Sequence, residues 1–267
     1  MDRGEELGGV LLMNVLLAAA FLFLKTGEKF ATQETAGQTV ATFTHYLGAY
    51  EPQVINDPAK AVELCTSNKP PLGIVTPGFY LTYAKALGIE PLLEVRRQKV
   101  PMERYVLVVK RSAPDDLDAL KGKTIATTLA AEQRYVISVV LKDRLGNEMR
   151  LKPITDVEGA VFDLVEGMKN TADAVLVEDA AWKLFEKDEE LGPKVKAVYQ
   201  SDELPRDLVV LFRPNADGVD AEKIKSVLKD MGNNDAGKQI LNSIRVEAFV
   251  DVDKDRLSKA QALFYAK

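Results

Sequence analysis

The sequence predicts an α/β fold of two lobes, each with a central sheet flanked by helices, and two crossing strands as a hinge. Three observations predict it. A short apolar strand, a polar turn and an amphipathic helix follow one another four times along the chain. Two apolar strands, 105–110 and 208–213, bracket the central part, and the residues after 213 are mostly helical. With 267 residues, of which 46% are hydrophobic, the chain can fill two modest cores.

These observations divide the chain into four parts. Residues 1–19 form a possible signal or irregular segment, and residues 20–104 form the first part of lobe 1. Residues 105–212 form lobe 2, and residues 213–267 return to lobe 1 as C-terminal helices. The two crossing strands predict a hinge, because two connections between lobes allow one lobe to turn against the other.

The N-terminal segment has two interpretations. Residues 10–24 are almost entirely apolar, a run shorter than a membrane span and close to the core of a signal peptide. The small residues 18–20 offer a cleavage site, but the flank MDRGEELGG carries one Arg and three acids where a signal peptide is positive. The alternative is an irregular segment that precedes a first buried strand at 20–24.

The first two strand-turn-helix units belong to lobe 1. In the first, strand 20–24 leads through a turn rich in Thr, Gly and Glu, 25–37, into a helix. In the second, LGIV is the strand, Thr76 is the N-cap and Pro77 takes the first helical position, where its missing N–H costs nothing. Phe79 and Tyr80 follow, and they could form a wall of a ligand site.

The third unit, 121–140, has the pattern most typical of a ligand site. Residues 123–126 predict a buried strand, and Thr127 and Thr128 predict the turn and the N-cap of the next helix. The free N–H groups of that helix, with the two hydroxyls, suit an oxyanion. The fourth unit, 174–185, places Glu178 and Asp179 after the strand AVLV. Four such units imply parallel strands whose carboxyl ends gather at one edge, where open α/β sheets bind ligands.

Composition excludes several function classes. A net charge of -5, with scattered Lys and Arg, argues against a nucleic-acid surface. Cys65 is the only cysteine and His45 the only histidine, which excludes an intrachain disulfide and a thiolate cluster and leaves one residue for any imidazole chemistry. The chain has no P-loop, no G-x-G-x-x-G and no nucleophile elbow. We therefore predict no enzyme activity, no cofactor and no metal site.

Several segments resemble a known family. The run SAPDDLDALKGKTIAT, the strand ADAVLVED and the return DELPRDLVVLF resemble the type 2 periplasmic binding proteins, and within them the phosphonate-binding family of ABC importers. The segments KTGEKFATQETAG and LGIVTPGFYLTYAKALG resemble the first lobe of that family. The resemblance implies a periplasmic (extracytoplasmic) monomer that closes on a small solute and delivers it to an ABC permease at the membrane.

The resemblance also implies a set of ligand-binding residues, which come from both lobes and from the two crossings. They are Thr26, Gly27, Thr32, Thr76, Phe79, Tyr80, Tyr105, Thr127, Thr128, Glu178 and Ser201.

The chain departs from the family pattern in two ways. The family has a run rich in Ser and Thr where this chain continues with LAA at 129–131. Acidic residues also come near the predicted cleft, and they would repel a dianion unless Arg134, Arg104 or a cation intervenes. They are Glu28, Glu34, Glu132, Glu178 and Asp179. Arg96 and Arg97 are interpreted as part of a surface connector, and the alternative is that they steer an anion towards the cleft.

The predicted function is the solute-binding component of an ABC importer. Its predicted ligand is a small oxyanion of the phosphate, phosphite or phosphonate kind, bound in the cleft between the lobes. Two alternatives stay open on the sequence: a ligand-sensing lobe for a signalling partner, and a binder of an amine-bearing solute or a metal on the same scaffold.

Overall fold

The two predicted lobes correspond to two separate sheets in a computed structural model that describes residues 19–26, 33–48, 50–168 and 171–266. Residues 1–18, on which the predicted signal segment falls, lie outside this description. The strands of the described residues are, in chain order, β1 (Ala19–Leu24), β2 (Tyr50–Ile55), β3 (Leu72–Val75), β4 (Ile89–Arg97), β5 (Tyr105–Lys110), β6 (Thr124–Thr127), β7 (Arg150–Pro153), β8 (Ala174–Glu178), β9 (Val195–Gln200), β10 (Leu208–Phe212) and β11 (Val246–Val250).

Helices flank both sheets. They are α1 (Gln33–Leu47), α2 (Pro58–Ser67), α3 (Pro77–Leu87), α4 (Gln133–Tyr135), α5 (Val157–Glu166), α6 (Asp179–Phe185), α7 (Ala221–Asp230), α8 (Asp235–Ser243) and α9 (Lys254–Tyr265). The short helix α4 continues as one turn of π-helix, Val136–Val140. None of the described helices combines the length and the apolar character that a membrane span requires.

The sheets are mixed, and three neighbouring parallel strands form one side of each sheet. The first has the order β11-β4-β10-β3-β1-β2, and the second has the order β7-β6-β8-β5-β9. Strand β1 runs parallel to β2 and β3, and β6 runs parallel to β7 and β8. The strands of the four predicted units therefore pair in parallel, β1 with β3 and β6 with β8, and the predicted fold class is confirmed.

Neither predicted crossing strand links the two sheets. Strand β5 pairs with β8 and β9 inside the five-stranded sheet. Strand β10 pairs with β3 on one side and with β4 on the other, inside the six-stranded sheet. Its five residues are all buried, as expected of an apolar strand with neighbours on both sides. The chain has thus returned to the first lobe before Leu208, not after Phe212.

Two irregular segments make the crossings, residues 98–104 and 201–207. The second segment is hydrogen-bonded to the end of the first segment and to the start of β5. The N–H of Leu204 donates to the carbonyl of Glu103 at 2.8 Å, and the N–H of Ser201 donates to the carbonyl of Tyr105 at 2.8 Å. The hinge is therefore a pair of joined segments.

Edge strands β2 and β7 have no counterpart in the sequence interpretation. Strand β2 contains Pro52 and only one buried residue, Val54, and β7 (RLKP) has no buried residue. Edge strands tolerate proline and polar side chains because one side of each lacks a partner. Their sequences therefore lack the apolar run that identified the central strands.

The C-terminal helix α9 contacts both lobes. Near its end, the guanidinium of Arg134 donates to the carbonyl of Phe264 at 2.9 Å and lies 4.5 Å from the centre of its ring. The hydroxyl of Tyr265 donates to the carbonyl of Leu81 in α3. At the other end of α9, Arg256 pairs with Glu203 in the second crossing segment and with buried Glu94 of β4.

Candidate functional site

A pocket of about 370 Å³ lies between the two lobes, beside the crossing segments. Residues from both sheets and from both crossings line it: Lys25, Thr26, Thr76, Pro77, Arg97, Glu103, Tyr105, Thr128, Leu129, Glu132, Tyr135, Thr155, Glu178, Leu204, Pro205, Asp207 and Arg245. A larger open groove of about 1100 Å³ adjoins this pocket and shares Thr128 and Thr155 with it.

The wall in lobe 1 is built at the carboxyl ends of β1 and β3. Thr26 comes two residues after the end of β1, and Thr76 comes directly after β3. Thr76 is the N-cap of α3, as predicted, and its hydroxyl accepts from the N–H of Phe79 at 3.3 Å, with Pro77 in the first turn. Two hydroxyls and the start of a helix thus face the pocket from lobe 1.

The side chain of Glu132 reaches this wall from lobe 2. Its Oε1 accepts from the hydroxyl of Thr26 at 3.1 Å and from the hydroxyl of Thr76 at 2.5 Å. Glu132 is 7% exposed, and its Oε2 makes no well-formed hydrogen bond with the described residues, although it lies against Gly78. Burial raises the pKa of this carboxyl to about 7, although the two hydroxyls and the backbone N–H of Gly78 act in the opposite direction.

Gly78 leaves the space into which this carboxylate fits. A Cβ at this position would lie 1.9 Å from Glu132 Oε2 and 2.7 Å from its Cδ. A larger residue at position 78 would therefore collide with the carboxylate. This close approach explains why position 78 is glycine. The backbone of Gly78 does not take the left-handed conformation that would also favour glycine.

In lobe 2 the two adjacent threonines have different environments. Thr127 is fully buried, and its hydroxyl accepts from the N–H of Leu129 at 3.2 Å. Thr128 is partly exposed and lines the pocket, and its hydroxyl has no partner in the described part of the chain. The predicted N-cap at this pair is wrong. The run LAA at 129–131 provides no capping side chain. A short 3₁₀ turn, Ala130–Glu132, precedes the helical segment.

Arg97 lies in the pocket, contrary to its interpretation as a surface connector. Its Nη1 donates to Glu178 Oε1 at 3.0 Å, its Nε donates to Glu103 Oε1 at 3.1 Å, and its Nη2 donates to Glu103 Oε2. This two-pronged arrangement is the geometry in which guanidinium and carboxylate pair best. The charge of Arg97 is thereby shared between two carboxylates of the pocket wall.

The other charges divide between the pocket and sites elsewhere. Lys25 pairs with Asp207 at 3.7 Å, and Arg245 also lines the pocket. The arginines expected to offset the acids do not line it: Arg134 contacts Phe264, and Arg104 is absent from the wall. Asp179 pairs with Lys183 at 2.6 Å, away from the pocket. Glu28 lies outside the described residues, and the side chain of Glu34 is not described.

The structure brings together five of the predicted ligand-binding residues on the pocket wall. They are Thr26, Thr76, Tyr105, Thr128 and Glu178.

Four other predicted residues do not line the pocket, and two fall outside the described part of the chain. Phe79 and Tyr80 are buried in the core, where the Phe79 ring lies 4.9 Å from that of Tyr83. Thr127 is buried behind Thr128, and the hydroxyl of Ser201 accepts from the N–H of Tyr105 at 3.0 Å. Gly27 and Thr32 lie outside the described residues.

The pocket residues that sequence reasoning missed include Arg97, Glu103, Tyr135 and Asp207. Three of these four lie in or beside the crossing segments, whose charged runs, RRQKVPMER and DELPRD, resemble surface loops. A usable signal was available. Both runs are the links between two predicted lobes, and links between lobes border the cleft. Among the described residues, no group of three potential metal ligands is found.

Comparison with protein families gives one match. The family model described as "ABC transporter, phosphonate, periplasmic substrate-binding protein" matches residues 49–257. No curated protein matches the chain.

Solved structures match over most of their lengths at low sequence identity. A Xanthomonas citri protein bound to chloride ion has a TM-score of 0.69 at 12% identity, with 92% of this chain and 98% of that chain covered. A binding protein component of an ABC phosphonate transporter from Pseudomonas aeruginosa has a TM-score of 0.63 at 12% identity, covering 92% and 85%. PhnD1 from Prochlorococcus marinus, in complex with methylphosphonate, has a TM-score of 0.61 at 12% identity, covering 92% and 97%. At these identities the likeness shows the fold alone.

Proposed function

The chain belongs to the periplasmic substrate-binding proteins of phosphonate ABC transporters, and we propose that it captures a small solute between its lobes and delivers it to a membrane permease. The observation that carries this proposal is the pocket of about 370 Å³ walled by both lobes and both crossing segments. Its volume is that of a small-molecule site. Closure around the solute would occur outside the cytoplasm, and the protein would act as a monomer without catalysis.

Two classes of ligand are candidates. The small oxyanion predicted from the sequence is supported by Thr128, whose hydroxyl faces the pocket without a partner in the described residues. A solute with a positively charged group is supported by four carboxylates on the wall, Glu103, Glu132, Glu178 and Asp207, against three bases, Lys25, Arg97 and Arg245. Since Arg97 is shared between two of those acids, we favour the second class.

A solute screen with two measurements tests the proposal. The purified protein is heated with phosphate, phosphite, phosphonates, sulfonates, amino acids, polyamines and divalent metals, and each solute that raises the melting temperature is kept. Small-angle scattering is then recorded with and without that solute. We expect at least one stabilising solute and a smaller radius of gyration in its presence, because closure brings the lobes together. A panel without any stabilising solute would contradict the proposed function.

A further inference from the structure

The lobe-1 wall of the pocket has the features of an oxyanion site. Thr26 and Thr76 each direct a hydroxyl hydrogen to one point, and α3 begins at the same place with Gly78 in its first turn. The first N–H groups of a helix lack partners within the helix and favour negative charge. A helix of eleven residues and two converging hydroxyls therefore suit a carboxylate or a phosphorus oxyanion.

A carboxylate of the protein already occupies this position. Glu132 is only 7% exposed. One carboxylate oxygen is held by both threonines, and the other lies against Gly78 without a well-formed hydrogen bond to any described residue. No ion pair joins Glu132 to a Lys or Arg anywhere in the described part of the chain. The carboxylate thus takes the place that an anion from solution would take.

The three bases of the pocket wall form no ion pair with Glu132 among the described residues. Arg97 is engaged by Glu103 and Glu178, and Lys25 lies 3.7 Å from Asp207. Arg245 lines the same wall and is the one base there that is not matched to another carboxylate in the described ion pairs. A doubly charged oxyanion that entered from lobe 2 would meet Glu132 within a pocket of about 370 Å³. Two like charges held within one pocket of this volume repel each other strongly where water is scarce.

We propose that ionised Glu132 is a tethered anion that fills the lobe-1 half of the cleft and excludes phosphorus dianions, so that the solute presents a neutral or cationic group to lobe 1. This inference rests on the proposed function for its ligand, because it names the class of solute that the same pocket accepts. Glu132 is then a specificity-determining residue. Its hydrogen bonds hold it in position, and its charge and volume determine what can bind beside it.

Calorimetric titration of methylphosphonate and inorganic phosphate at pH 8 tests this proposal on four proteins. They are the wild type, Glu132→Ala, Glu132→Gln and the control Glu148→Ala, which removes an exposed carboxylate from lobe 2. We expect no saturable binding by the wild type or by the control. Glu132→Ala should gain saturable binding of methylphosphonate, because the two hydroxyls and the helix start are vacated.

The Glu132→Gln variant separates the two effects of the side chain, which are its occupation of the lobe-1 wall and its repulsion of an anion. Glu132→Gln keeps the volume of the side chain and loses its charge, so its affinity for methylphosphonate should stay well below that of Glu132→Ala. Equal affinities of Glu132→Gln and Glu132→Ala for methylphosphonate would overturn the claim that the side chain of residue 132 occupies the lobe-1 wall. Tight binding of methylphosphonate by the wild type would overturn the whole inference, and this result does not depend on the folding of any variant.

Formate provides a second readout. It is small enough to replace the lost carboxylate, so it should raise the melting temperature of Glu132→Ala and leave that of the wild type unchanged. An equal effect of formate on both proteins would count against the inference. Failure of the proposed function gives a different pattern, since a wild type that binds no solute can still gain phosphonate binding through Glu132→Ala.

Discussion

Arg97 Nη1 lies 3.0 Å from Glu178 Oε1, so the end of strand β4 in one sheet is ion-paired with the end of strand β8 in the other. The same guanidinium is held by both oxygens of Glu103 in the first crossing segment. Arg97 is 22% exposed and Glu103 is 10% exposed at the side chain, which places this pairing mostly out of water. One arginine thus joins both lobes and their connection.

Replacement of Arg97 by Met should lower the free energy of unfolding by about 2–4 kcal/mol, because two carboxylates would then face one another without a partner. Arg97→Lys should lower the free energy of unfolding by a smaller amount, since lysine keeps the charge and loses only the two-pronged geometry. Urea unfolding at pH 7 measures both. Arg96→Met is the matched control, because Arg96 pairs with Glu247 where both are at least 40% exposed. Its effect should stay within about 1 kcal/mol, and equal losses for Arg96→Met and Arg97→Met would contradict this view.

The contact between Gly78 and Glu132 predicts a coupling between the two positions. Gly78→Ala should destabilise the wild type by about 1–3 kcal/mol, because the new methyl group overlaps the carboxylate. In the Glu132→Ala background the same change should cost at least about 1 kcal/mol less, because only the Cβ of residue 132, at 3.1 Å, remains near the new methyl group. A double-mutant cycle by urea unfolding measures the coupling. Gly37→Ala in α1, where a Cβ meets nothing within 4 Å, should have the same effect in both backgrounds. Additive effects at Gly78 would show that the carboxylate lies elsewhere.

The raised pKa of Glu132 predicts a specific pH dependence. Its folded-state pKa is about 7, above the ordinary value of 4.5, so between these values the folded protein keeps a proton that the unfolded chain has released. The stability from this group is therefore fully present below pH 4.5 and is lost as the pH rises through 7, by about 3 kcal/mol in total. Asp207 faces the same carboxyl and acts in the same direction.

Urea unfolding from pH 5 to pH 8.5 checks this dependence in the wild type and in Glu132→Gln. The wild type should lose stability relative to the variant across this range, whatever the offset between the two at pH 5. The neighbouring titratable groups of the pocket, Glu103, Glu178, Asp207 and Tyr135, are common to both proteins. Parallel curves would mean that Glu132 titrates as an ordinary carboxyl.

The adjacent threonines of lobe 2 should respond differently to substitution by valine. Thr127→Val removes a buried hydroxyl that accepts from the N–H of Leu129, so it should cost about 1–2 kcal/mol of stability. Thr128→Val should change stability by less than about 0.5 kcal/mol and weaken the binding of the solute identified in the screen. Melting temperature and calorimetry separate the two effects. If only Thr127→Val lost affinity, Thr127 and not Thr128 would be the threonine that contacts the solute.

The sequence predicted the parts of the fold that local pattern determines. The run LGIVTP predicted strand β3, the cap at Thr76 and the start of α3, because strand, cap and Pro act within a few residues of one another. The position of Glu132 could not be predicted in this way. Its partners Thr26 and Thr76 are 106 and 56 residues away, so its contacts depend on how the lobes approach each other. The pairing of Arg97 with Glu178, 81 residues away, was missed for the same reason.

Helix α9 has a consequence for how far the cleft can open. It is fixed at its start by Arg256, which pairs with the second crossing segment and with Glu94, and at its end by contacts to α3 and to Arg134. A rotation that separates the lobes while it preserves these contacts must turn about an axis close to α9. Phe264 is only 2% exposed, so a larger amplitude would first expose an aromatic ring to water. The cost of that exposure, and not the length of the two links, then sets the widest opening.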